Sequence, residues 1–223
     1  MSGKSKSSAT GSESKARRAV IETALAMSRC GLSPGRSGNV SCRWGDGMLI
    51  TPTGMAYEDI RARDVVFVDA NGEPAKKSRK PSSEWRFHLA AYQARADANA
   101  VVHTHSLNAT VLACARKPIP AFHYMVAVAG GDDIPLVAYD TFGTKQLARH
   151  VAKGLLHRNA CLMANHGQIA LGATLPAALE LAREIETLAE QYRGVLALGK
   201  PRIISKEEMA RVCKRFKSYG QQR

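Results

Sequence analysis

An α/β fold with a largely antiparallel sheet covered by helices is expected, and three observations carry that expectation. Short runs rich in Val, Ile and other apolar residues recur between Gly, Asn, Asp and Pro turns, as strands require. Longer segments with helical apolar spacing fall among them. Their order does not form clean βαβ units, so antiparallel pairing under covering helices is favoured over a doubly wound parallel sheet. The 223 residues, 45% of them hydrophobic, supply ample material for one core.

The elements follow in order. Residues 1–14 are rich in Ser, Gly and Lys with no apolar period, and predict a disordered basic tail. Residues 15–220 show no dividing linker and no repeat, and predict one domain. Within it, Val20, Ile21, Ala24, Leu25 and Met27 predict a helix from about Ser14 to Cys30, closed by Gly31. Strands are expected at 40–43 and 48–51 between Gly-rich turns, and at 65–68 before an Asp-Ala-Asn-Gly turn. Pro81-Ser82-Ser83 predicts a serine-capped helix to about Arg95, with Trp85, His88, Leu89 and Tyr92 facing inward. A strand at 99–102 and a helix at 107–115 follow, then turns and strands over 119–138 and a helix at 144–157. Two strands, 161–164 and 168–171, precede the longest helix at 174–198 and a last one at 206–217.

Composition narrows the function classes. The net charge of +13 invites a nucleic-acid reading, but the charge collects before residue 19, after residue 199 and in Lys76-Lys77-Ser78-Arg79-Lys80. Aromatics are 6% of the chain and do not alternate with basic residues, so base stacking is disfavoured. The tails read as a basic surface, and the 76–80 cluster as an attraction for an anionic, phosphorylated metabolite. No run approaches the roughly 18 apolar residues of a membrane span, and no signal peptide is evident. The five cysteines are scattered without Cys-x-x-Cys pairing, which suits a reduced, cytoplasmic protein. Cys114 and Cys161 fall in apolar segments and read as small core residues.

His103-Thr104-His105 closes the expected strand at 99–102. Residues i and i+2 on an extended backbone point to one side, so a strand end can offer two imidazoles to one metal ion. His166-Gly167 supplies a third imidazole on a turn. Three protein ligands leave a coordination position open, the arrangement of catalytic rather than structural zinc. Ordinary hydrogen-bonding histidines also occur at this spacing, which by itself leaves both readings open.

Seven motifs in order resemble the class II aldolase/adducin superfamily, and within it the L-fuculose-1-phosphate aldolases. They are Ser37-Gly38-Asn39-Val40-Ser41, Ile50-Thr51-Pro52-Thr53-Gly54, Lys80-Pro81-Ser82-Ser83-Glu84, His103-Thr104-His105, His123-Tyr124-Met125, Ala129-Gly130-Gly131 and His166-Gly167. The resemblance covers residues 16–220 and implies a three-layer α/β/α fold. It implies His103, His105 and His166 as ligands of Zn²⁺, with Mn²⁺ or Co²⁺ as alternatives. Glu84 is implied as the base that exchanges the proton beside the ketone. Gly38, Asn39, Thr53, Gly54, Ser82 and Ser83 are implied to hold phosphate and orient substrate. Tyr124 is implied as the acid at the leaving aldehyde, reaching across from a neighbouring subunit of a homotetramer. Phe142 matches an aromatic at the aldehyde end, and Tyr219 a tyrosine in a closing C-terminal tail. Asn165 stands where some relatives carry a further histidine, which bears on the orientation of His166.

The activity this implies is reversible cleavage of a ketose 1-phosphate, L-fuculose 1-phosphate or a close relative. The products are dihydroxyacetone phosphate and an aldehyde, formed through a metal-stabilised enediolate. A ribulose-5-phosphate 4-epimerase or methylthioribulose-1-phosphate dehydratase of the same superfamily is the nearest rival. A non-enzymatic, adducin-like interaction module is the alternative outside enzymes.

Overall fold

The structure, a computed structural model, describes residues 5–216. Helix α1 (Ser5–Arg29) begins ahead of the expected start near Ser14. Val20, Ala24 and Met27 anchor its later turns in the core, and propagation from an anchored helix adds one hydrogen bond per residue fixed. Strands β1 (Asn39–Trp44) and β2 (Gly47–Ile50) form a hairpin, and β3 (Val66–Val68) pairs with the outer side of β2. Helix α2 (Trp85–Ala94) leads to β4 (Ala100–Thr104) and α3 (Leu107–Cys114). The short strands β5 (Ile119–Pro120) and β6 (Asp133–Ile134) pair apart from the main sheet. Then come β7 (Leu136–Val137), α4 (Lys145–Leu155), β8 (Ala160–Met163), β9 (Gly167–Gly172), α5 (Leu175–Leu198) and α6 (Lys206–Phe216).

The main sheet runs β3-β2-β1-β4-β9-β8-β7, and every neighbouring pair is antiparallel except β7 with β8. Side chains alternate between its two faces. Val40, Val102, Leu162 and Ala170 pack with residues of α1, α3 and α5 on one side. Val101, Cys161, Met163 and Ile169 pack with α2 and α4 on the other. The fold is therefore three-layered α/β/α. Burial of both faces explains why its central strands read as continuous apolar runs.

Local expectations were met unevenly. Of the inward stripe on α2, His88, Leu89 and Tyr92 are buried, but Trp85 is only half-buried. It sits in the first turn over Gly72, with the Arg86 guanidinium 4.5 Å from its ring centre. Phe87 takes the core position instead. Neither expected serine caps α2: its N-cap is Glu84, and Ser82 Oγ accepts from the Glu84 amide at 3.3 Å. Cys161 is buried as expected, whereas Cys114 is exposed, next to Leu112 and Ala113, which take the buried side of the last turn of α3. Among the described residues, no helix is long and apolar enough to cross a membrane.

Antiparallel pairing gathers three chain segments at one end of the sheet. Asn39, opening β1, sits opposite His103, near the close of β4; Thr104 sits opposite Gln168, near the opening of β9. The start of α2 joins them because Ser82 N donates to Thr51 O at 3.0 Å and Thr53 N to Lys80 O at 3.1 Å. Glycine is required where strands crowd: a Cβ on Gly167 would lie 2.3 Å from Thr104 O and 3.2 Å from the His105 ring.

The helix that follows His105 is capped from a distance. Ser106 makes no side-chain cap on α3; the Glu186 carboxylate of α5 instead accepts from Asn108 N at 2.7 Å and Ala109 N at 2.9 Å. An acidic group at a helix start meets both the orphan amides and the helix dipole. Glu186→Ala should lower unfolding free energy by about 1.5–3 kcal/mol, the range for charged hydrogen bonds. Urea unfolding measures it, and an unchanged midpoint and slope would rule this cap out.

Candidate active site and metal centre

His103, His105 and His166 converge with Glu84. One ligand atom from each lies within 4.8 Å of all the others. The three rings stand nearly edge to face, with centroids 4.8–4.9 Å apart and interplanar angles of 71°, 84° and 89°. His166 Nε2 is 2.8 Å from Glu84 Oε1, and His103 Nε2 is 3.3 Å from Glu84 Oε2. Phe87 closes the floor, its ring edge-on to His103 at 5.1 Å.

The donor set fits a cation. His103 Nδ1 lies 2.8 Å from the Gln168 carbonyl, an acceptor, so this nitrogen carries a proton and Nε2 is the atom turned to the cluster. It faces His105 Nε2 at 3.0 Å and the Glu84 carboxylate. Atoms so close together are mutually repulsive unless a proton or a metal ion lies among them. Burial opposes a charge on Glu84, but the His103 and His166 imidazoles outweigh it and hold the carboxyl well below the usual range. Burial, followed by His103 and His166, pushes His105 down to about 3, leaving its imidazole neutral, the form that binds metal. Three imidazoles and one carboxylate suit a divalent ion such as zinc.

His166 reaches the cluster through a tight turn. Asn165 has φ 53°, a left-handed conformation that Asn tolerates better than most residues. His166 N donates to Met163 O at 3.1 Å, completing the bend from β8. The asparagine is thus the turn residue that aims the third imidazole.

A cleft of about 420 Å³ opens from Glu84, His105 and His166. All six residues expected to hold phosphate line it: Gly38, Asn39, Thr53, Gly54, Ser82 and Ser83. Tyr57 OH donates to Gly38 O at 2.6 Å, fixing that turn. Gly38 itself has no room for a side chain, since a Cβ would stand 2.7 Å from His103 O. Asn39 is less free than expected, because its side chain is engaged with Glu84 and His88. Phe142 also lines the cleft and is exposed. Tyr124 does not line the cleft; it is half-exposed, beside Phe216 of α6. Tyr219 lies outside the described residues.

Two features escaped sequence reasoning. Arg36 is the one Lys or Arg lining the cleft among the described residues, whereas the 76–80 cluster stands outside it. Its guanidinium donates to Gly54 O at 3.0 Å and ties two glycine turns together. A lone cation between Gly35 and Gly38 was the available signal. The second is the bonding of His88, which looked like core packing because it lies on a buried stripe.

Comparison with known proteins agrees with this geometry. The Class II Aldolase and Adducin N-terminal domain matches residues 18–193. A 5-methylthioribulose-1-phosphate/5-deoxyribulose-1-phosphate aldolase of Rhodospirillum rubrum is 52% identical over 210 residues, covering 94% of this chain and 95% of that protein. An L-fuculose phosphate aldolase of Escherichia coli O6:H1 is 51% identical over 207 residues, covering 92% and 96%. A solved L-fuculose 1-phosphate aldolase structure superposes with a TM-score of 0.88 at 39% identity, covering 91% of this chain and 96% of that one. The chain is a member of the class II aldolase/adducin family.

Proposed function

We propose that this chain is a zinc-dependent aldolase that reversibly cleaves a ketose 1-phosphate into dihydroxyacetone phosphate and an aldehyde. The convergence of Glu84 with three imidazoles at the mouth of an anion-fitting cleft carries this reading. Relatives named for fuculose phosphate and for methylthioribulose or deoxyribulose 1-phosphate support the substrate class at nearly equal identity. The substrate is therefore L-fuculose 1-phosphate or a 5-substituted pentulose 1-phosphate.

His103, His105 and His166 would hold the metal, and Glu84 stands within reach of it. A metal bound there supplies Lewis-acid polarisation of the substrate carbonyl. The phosphate lies among Thr53, Gly54, Ser82 and Ser83, where a glycine backbone allows close approach and Arg36 supplies positive charge. The ionised Glu84 carboxylate takes and returns the proton on the carbon beside the ketone. Phe142 borders the aldehyde end.

Tyr124 protonates or deprotonates the aldehyde oxygen from a neighbouring copy. Its place outside its own cleft supports that arrangement, as does its exposure. The assembly proposed is a homotetramer with active sites between subunits, and Tyr219 closes over substrate from the C-terminal tail. Five unpaired cysteines suit a reducing compartment, in keeping with a cytoplasmic enzyme. Retention of the three histidines and Glu84 argues against an adducin-like module without activity.

Purified protein loaded with Zn²⁺ should release dihydroxyacetone phosphate from at least one of L-fuculose, 5-deoxyribulose and 5-methylthioribulose 1-phosphate. Chelation should abolish the release and Zn²⁺ restore it. Appearance of only an epimerised or dehydrated product would replace the aldolase reading with its rivals.

Glu84→Gln should keep its metal yet lose about 10²–10⁴-fold in exchange of the dihydroxyacetone phosphate proton with solvent, the usual weight of a general base. His105→Ala should lose both metal and turnover. Elemental analysis alongside isotope exchange reads both, and wild-type rates in either variant would remove that residue from its role.

A further inference from the structure

Behind Glu84 runs a line of buried polar groups that the proposed reaction does not use. The Tyr92 hydroxyl lies 2.8 Å from Ser41 Oγ, which lies 2.7 Å from His88 Nδ1. His88 Nε2 is 2.5 Å from Asn39 Oδ1, and Asn39 Nδ2 donates to Glu84 Oε2 at 2.8 Å. Ser41 and His88 are fully buried, and Asn39 and Tyr92 nearly so. The secondary structure explains the alignment. Asn39 and Ser41 share one face of β1, while Glu84, His88 and Tyr92 recur every fourth residue along α2.

With His88 neutral, one proton arrangement satisfies every contact. Glu84 can only accept, so Asn39 must turn its NH₂ toward the carboxylate and its oxygen toward His88. His88 therefore carries its proton on Nε2, and Nδ1 accepts from Ser41. Ser41 in turn accepts from Tyr92. Burial is the main cause that pushes the His88 pKa down to about 3, consistent with a neutral ring. All donors thus point one way, and each bond polarises the next toward the carboxylate. An apolar filling of this space would avoid the cost of burying four polar side chains.

We infer that His88 is a positioning residue: its Nε2–H locks the Asn39 amide, which in turn holds the Glu84 carboxylate toward the reacting carbon. Without that donor the amide is free to rotate, and Glu84 loses the partner that sets its angle. The inference rests on the proposed role of Glu84 as the base.

Two substitutions separate positioning from simple packing. Gln at 88 places an amide donor where Nε2 stood; Asn places one near Nδ1 and stops short of Asn39. With zinc content unchanged in both, His88→Asn should lower kcat about 10–100-fold, as loss of an outer hydrogen-bond partner does, with KM little altered. His88→Gln should recover most of that loss. In crystal structures of the variants, the Asn39–Glu84 contact should persist with Gln and be lost with Asn. A His88→Asn enzyme that keeps both the contact and the wild-type kcat overturns the inference, as does failure of Gln to recover the rate while the contact persists. A wild type that cleaves no ketose 1-phosphate sinks the aldolase reading alone, and the contact in the two variant structures then still decides the role of His88.

Discussion

The antiparallel pairing of β4 with β1 and β9 is the constraint on which the cleft depends. It sets Asn39 beside His103 on one side and Gln168 beside Thr104 on the other. The Gln168 carbonyl then accepts from His103 Nδ1 and fixes the angle of that ring, and the β8–β9 turn delivers His166 to the same end. A slip of one residue in this register would turn His103 toward the opposite face of the sheet. The close approaches at Gly38 and Gly167 help exclude that slip, since a side chain at either would strike the β4 backbone.

The site concentrates buried polar groups that a bound cation would draw into one coordination shell. A buried carboxylate and three imidazoles within 4.8 Å of one another give up water and crowd lone pairs together. A divalent ion bound there would turn that crowding into coordination. The rigid scaffold around the site permits this. Phe87 backs the His103 ring, Asn39 and His88 brace Glu84, and Tyr57 ties down the Gly38 turn.

Much of this was legible in the sequence because it rests on local rules. The i, i+2 histidines at a strand end, the glycine after His166 and the apolar runs of the central strands each follow from backbone geometry. The positions of Glu84 and the serines at the start of α2 also came through, although the capping did not. Glu84 faces the cleft instead of serving as an ordinary first-turn acid, and distant Glu186 rather than Ser106 caps α3. Those contacts join residues well separated along the chain, and no local pattern marks them. The same holds for Arg36 and Gly54, brought together by two turns, and for the His88 relay, which needs both a strand face and a helix stripe. Tyr124 was legible as a motif, but its distance from its own cleft emerges only from the tertiary structure.

The central claim is that one divalent ion organises the four convergent residues. An anomalous-scattering crystal structure of the zinc-loaded protein tests it most directly. The account predicts a single strong peak per chain, about 2.0–2.1 Å from imidazole nitrogens of His103, His105 and His166. A fully loaded, catalytically active crystal with its zinc elsewhere, and none among these histidines, would contradict it.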